Sequence, residues 1–110
     1  MIEVDEIADE EPCPPPPEFA GAQVREMRIV NRKGLHARAT AKFVQCVERF
    51  DAQIKVTRCG ETVGGDSIMG ILTLGAGLGS TISVAARGAQ AREALEALDA
   101  LVAARFGEDE

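Results

Sequence analysis

From Val24 onward the chain alternates between two hydrophobic periods. Met27 and Ile29, followed by Val30, predict a first strand over Met27–Asn31, which Lys33-Gly34 punctuates. Thr40, Phe43, Val44, Val47 and Phe50 then recur at helical spacing, with Lys42, Gln45, Glu48 and Arg49 on the other side. That pattern predicts an amphipathic helix of about three turns beginning close to His36. Gln53–Thr57 and Glu61–Val63 each alternate apolar with polar and flank Arg58-Cys59-Gly60, the pattern of a β-hairpin with glycine at the turn. Ser67 offers an N-cap and Gly75 a stop for a short helix between them. Its apolar residues Ile68, Met69, Ile71, Leu72 and Leu74 cover too much circumference for one buried face, so part of them stays exposed as a contact surface. Ser80–Ala85 alternates again, with Ile82 and Val84 on one face. Last comes a helix whose stripe is Ala91, Ala94, Leu95, Leu98, Leu101 and Val102, with Arg92, Glu93, Glu96 and Asp99 off it. The order β-α-β-β-α-β-α predicts an α+β open-faced sandwich, a four-stranded antiparallel sheet with three helices on one side.

The segment before this pattern differs in composition. Seven acidic residues precede Arg25, the first basic one, and Pro12 to Pro17 read PCPPPP. Such a stretch buries little and favours an extended backbone, so residues 1–23 are expected to form a disordered arm, 24–107 a domain and 108–110 a tail. A polyproline docking motif is the alternative to a solvated leader. After the arm, eleven acidic residues face twelve basic ones, so the formal charge of −6 belongs to the arm and the domain has no basic surface for nucleic acid. No apolar run is long enough for a bilayer and the first residues are acidic, which predicts a cytoplasmic protein without membrane insertion. Cys13, Cys46 and Cys59 show neither paired-motif nor zinc-ligand spacing, so free thiols are expected, with no metal and no cofactor.

His36 is the only histidine. It stands where a glycine turn meets the first helical turn, and a helix N-terminus presents unpaired N–H groups and a partial positive potential to any phosphoryl group attached there. Arg38 can add charge-assisted hydrogen bonds to the same oxygens. The positive potential also favours the neutral, nucleophilic imidazole. A histidine that merely caps or packs a helix start is the plain alternative.

Lys33-Gly34-Leu35-His36-Ala37-Arg38 closely resembles the GLHAR active-site motif of HPr, the phosphocarrier of the phosphoenolpyruvate-dependent phosphotransferase system. Gly65 through Leu74 resembles that family's second signature, KSIMGVMSL, and together the motifs span Met27 to Phe106. The resemblance implies that His36 accepts phosphate on Nδ1 from enzyme I and donates it to a IIA-type protein, with Arg38 positioning the phosphoryl group. It implies a stoichiometric carrier rather than an enzyme, acting as a monomer. Ile68, Met69 and Leu72 would be its partner contacts, and Ile71 and Leu74 the inward pair. Ser67 matches the serine that some family members present to a regulatory kinase, although helix capping alone explains its residue type. Ala39 and Thr40 stand where many HPr proteins have Pro and Ala. With GGDSIMG and the acidic arm, that version looks like the nitrogen-related, regulatory branch. Competing readings are a binding module of the same fold that reports phosphorylation state without onward transfer, and a KH-like or phosphate-cradling loop at Gly75–Gly79, which lacks the basic surround.

Overall fold

A computed structural model describes residues 13–110. Strand β1 (Gln23–Arg28) leads through a loop to helix α1 (Ala37–Val47), then come the hairpin strands β2 (Gln53–Arg58) and β3 (Glu61–Gly64), helix α2 (Ile68–Thr73), strand β4 (Thr81–Arg87) and helix α3 (Ala91–Ala103). A single 3-10 turn, Arg105–Gly107, follows. All strand pairings are antiparallel and the order is β1-β4-β2-β3. This is the open-faced sandwich that the alternation of periods predicts.

Local chemistry accounts for most boundaries. Ser67 caps α2, its Oγ accepting from the Gly70 N–H at 3.0 Å. The hairpin turn places Cys59 and Gly60 at φ 45° and 90°, the left-handed pair that a tight β-turn between twisted strands requires. Strand β1 starts earlier than side-chain alternation suggests, because β4 runs on to Arg87 and supplies partners back to Gln23, opposite Ala86. Pairing continues beyond the strand at Ile29, whose N–H donates to the Ser80 carbonyl at 2.8 Å.

The core lies between the sheet and the helices. Met27, Val56, Ile82, Val84 and Ala86 from the strands meet Phe43 and Val47 of α1, Ile71 of α2 and Ala94, Leu95, Leu98 and Val102 of α3. Ile71 and Leu74 are buried as expected of the inward pair, whereas Ile68 and Met69 are exposed, Met69 by 72%.

Residues 1–12 of the expected disordered arm lie outside the described residues. Residues 13–22 lie against the open face of the sheet, where Phe19 stacks with Arg87 and Lys55 at 4.0 and 4.7 Å from its ring centroid. Cys13 is bonded to Cys59, which corrects the expectation of free thiols for both; only Cys46 is free. Reach explains the pairing. The ten residues 13–22, extended at about 3.1 Å each, cover roughly 30 Å, and the hairpin turn lies only about 20 Å along the sheet from Gln23.

Candidate functional site

His36 is the N-cap of α1, with extended backbone at φ −76° and ψ −178° and its carbonyl accepting from the Thr40 N–H at 2.8 Å. Two glycine-dependent features hold it there. Gly34 adopts φ +68°, and a Cβ at that position would sit 2.6 Å from the Ala76 carbonyl oxygen and 2.7 Å from Gly77 Cα. That close approach lets the Leu35 N–H donate to the Ala76 carbonyl at 2.9 Å, so the loop before the histidine is bonded to the loop before β4. Thr40, buried, closes the turn by donating its Oγ1 hydrogen to the Leu35 carbonyl at 3.1 Å.

The imidazole is half-buried and faces an open cleft of about 590 Å³ lined by Arg32, Lys33, Ala37, Arg38 and the last three residues of the chain. Arg38 is exposed on this cleft, so the structure brings together the two side chains that sequence reasoning singled out for phosphate chemistry. Ser67, Ile68, Met69 and Leu72 do not line it. Ser67 caps α2 and the other three sit on it, and α2 packs beside α1. Among the described residues no cluster of three or more His, Cys, Asp or Glu side chains could hold a metal ion, and no helix is long and apolar enough to cross a membrane.

Two residues of the site were not picked out from sequence. Glu108, placed in an expected tail, sets a carboxylate oxygen 2.5 Å from His36 Nε2. Its other oxygen accepts from Asn31 Nδ2 at 3.0 Å, and the same amide donates to the Gly34 carbonyl at 2.8 Å. Asn31 is fully buried, and its Oδ1 has no partner among the described residues. A buried carbonyl left unpaired costs about 1–3 kcal/mol, which the two donated hydrogen bonds offset. The Asn31 amide first, and then His36, hold the Glu108 carboxyl below the usual carboxylate range, with the Lys33 charge acting in the same sense and burial opposing. Arg32 pairs with Glu110 at 2.8 Å, and its backbone N–H donates to the Glu110 carbonyl. The helix start supplies the positive potential read from sequence, and Glu108 sets a negative group against the far side of the ring. Burial pushes the remaining free thiol, Cys46, above the ordinary thiol range, which marks it as a packing residue.

Comparison with known proteins gives one consistent answer. Residues 23–104 match the family model described as PTS HPr component phosphorylation site. Among curated proteins, the phosphocarrier protein HPr of Cupriavidus necator is 48% identical over 86 residues, covering 78% of this chain and 97% of the relative. The phosphocarrier protein NPr of Shewanella violacea is 39% identical over 84 residues, covering 76% and 92%. Among solved structures, HPr-C-His from Thermoanaerobacter tengcongensis aligns with a TM-score of 0.77 at 39% identity, covering 80% of this chain and 99% of that one. HPr from Bacillus anthracis aligns at 0.71 and 43%, covering 74% and 96%.

Proposed function

The chain belongs to the HPr family of phosphocarriers of the phosphotransferase system, and from that premise we propose that His36 is the residue that carries the phosphoryl group. A family member is a stoichiometric carrier rather than a catalyst. The observation that carries the assignment is the placement of the sole histidine at the N-terminus of α1, with Arg38 beside it on an open cleft. A phosphoryl group on Nδ1 meets the unpaired N–H groups of the helix start, and the Arg38 fork, exposed on the same cleft, adds charge-assisted bonds. The donor is an enzyme I-type phosphotransferase and the acceptor a IIA-type protein. Ile68, Met69 and Leu72, on the helix next to α1, form the surface on which both dock, the protein acting as a monomer.

The regulatory, nitrogen-related branch is the reading we favour from GLHARAT and GGDSIMG; the relatives include proteins named HPr and one named NPr. Ser67 is the candidate for a serine kinase: its hydroxyl is half-buried and its cap bond to Gly70 must be remade by the phosphate oxygens.

The test follows label from phosphoenolpyruvate through purified enzyme I onto the protein and onto His36→Ala. Acid-labile label on the wild type and none on the variant is expected. No label on the wild type, with a control carrier working, overturns the assignment. Chase with IIA proteins then separates the readings: label that stays on His36 until hydrolysis marks a sensor, and transfer only to a sugar-specific IIA protein refutes the nitrogen-related branch.

A further inference from the structure

Glu108 lies outside the residues that match the family model, yet its carboxylate is 2.5 Å from the ring of His36. At neutral pH its carboxylate is ionised and has no hydrogen to give, so the 2.5 Å contact requires the proton to be on His36 Nε2. A neutral imidazole carries one N–H, and the bond made by one nitrogen decides the state of the other. Nδ1 is therefore the nitrogen left with a lone pair.

We propose that Glu108, held in place by buried Asn31, is a positioning residue that locks His36 in the tautomer whose Nδ1 is the free nucleophile, and that balances the charge the ring acquires on phosphorylation. The inference rests on His36 being the phosphoryl acceptor. When the Nδ1 lone pair forms its bond to phosphorus, the bond between phosphorus and the donor's leaving atom breaks and its electron pair stays on that atom. No proton is released by His36. The Nε2 hydrogen remains, the ring carries positive charge as the bond forms, and the carboxylate 2.5 Å away compensates it. The return step, to an acceptor, runs the same bonds in reverse.

The carboxylate is itself oriented, as such a role demands. Asn31 donates both to Gly34, in the loop that carries the histidine, and to Glu108, so one buried amide sets the spacing between acceptor and ring. Rotating that amide by half a turn would place its oxygen against the Gly34 carbonyl and the Glu108 carboxylate together. The chain Asn31–Glu108–His36 therefore has one favourable sense.

Two variants separate the two parts of the role. Glu108→Gln keeps an acceptor for the Nε2 hydrogen and removes the charge; Glu108→Ala removes both. Ring ¹⁵N spectra at pH 9, where imidazole is neutral, should show Nε2 protonated and Nδ1 bare in the wild type and in Glu108→Gln, and a mixture of tautomers in Glu108→Ala. Labelling of His36 should slow by about tenfold in Glu108→Ala and by less in Glu108→Gln, the scale usual for a partner that orients a reactive imidazole. Amide spectra unchanged outside the tail confirm that both variants are folded. An unaltered tautomer ratio in Glu108→Ala overturns the proposal, and so does an altered ratio with an unaltered rate. A wild type that takes no label defeats the carrier assignment instead, and the ring spectra then decide the tautomer by themselves.

Discussion

Opening the Cys13–Cys59 bond should lower stability without touching the phosphate site. The two cysteines are 46 residues apart, and cross-linking a loop of that size removes about 13 to 14 cal/mol/K from the unfolded chain, or about 4 kcal/mol at 25 °C. That figure is a ceiling, because an opened bond also frees the arm in the folded protein. Residues 13–18 are exposed throughout, and the arm is otherwise held by the Phe19 stack and by Arg87 donating to the Ala20 carbonyl at 3.1 Å. Exposed cation–aromatic contacts are worth about 0.5–1 kcal/mol each, too little to keep the whole segment in place. A net loss of about 1–3 kcal/mol follows, lowering the melting temperature by about 5–20 °C. The assay is urea denaturation with and without reductant on the wild type, Cys13→Ser and the double variant with Cys59→Ser. Cys13→Ser is the cleaner single change, since Cys59 sits at φ 45° in the hairpin turn. Reduced wild type and both variants should share one midpoint, below that of the oxidised protein. Labelling of His36 should be equal in all of them, because among the described residues the bonds that hold its loop come from Asn31, Leu35, Thr40 and Ala76 and none from residues 13–22. A reductant-insensitive wild type, or Cys13→Ser as stable as the oxidised protein, refutes this reasoning.

Gly34→Ala should destabilise the protein by more than about 2 kcal/mol, since left-handed backbone costs a substituted residue about 1–2 kcal/mol and the new Cβ collides with backbone at Ala76 and Gly77 as well. Chemical denaturation measures it, and a loss below about 1 kcal/mol would show that the two loops separate easily. The Glu108 carboxyl, held below its ordinary value of about 4.3, contributes stability that is complete above that value and disappears as pH falls through its lower folded value. The tail should therefore stay on His36 throughout the neutral and mildly acidic range and leave only when the pH falls below the ordinary carboxylate range. A pH titration of the Glu108 side-chain and His36 ring resonances follows it, and release already near pH 6 contradicts the assigned contact.

What the sequence made legible is what short-range physics decides. The stripe on α3, the Ser67 cap, the left-handed turn at Cys59-Gly60 and the start of α1 at His36 each depend on residues within about one turn of one another. Even the exposure of part of the apolar surface of α2 followed from counting apolar positions on a short helix, while the family resemblance pointed to Ile68 and Met69 as the exposed ones. The two pairings that escaped join distant parts of the chain. Cys13 meets Cys59 only because β1 enters the sheet at a distance from the hairpin turn that an extended proline segment can span. Glu108 meets His36 across 72 residues, and nothing in Gly107-Glu108-Asp109-Glu110 separates it from a solvated acidic tail. Asn31 escaped for a related reason: at the end of an expected strand it reads as a turn residue, and its burial is a consequence of the tail that covers it.

The turn that delivers the tail explains why Glu108 is part of the folded site. After α3, Arg105, Phe106 and Gly107 take φ 59°, 55° and 80° in succession, so the helix is not extended but reversed. For the two residues with side chains this conformation costs about 1–2 kcal/mol apiece. Phe106 is only 1% exposed, and burying a phenylalanine contributes about 1.5–3 kcal/mol. Those terms come close to cancelling, and three hydrogen bonds tip the balance. Lys42 of α1 donates to the Phe106 carbonyl at 2.6 Å, Gly107 to Ala104 at 3.0 Å and Glu108 to Arg105 at 2.9 Å. Phe106–Gly107 at the end of an apolar stripe was the signal in the sequence: an aromatic residue that must be buried, followed by a residue that ends a helix. Since the buried ring and the carboxylate are two residues apart on this turn, the core brings Glu108 within reach of His36, and the bonds to Asn31 and His36 complete its placement.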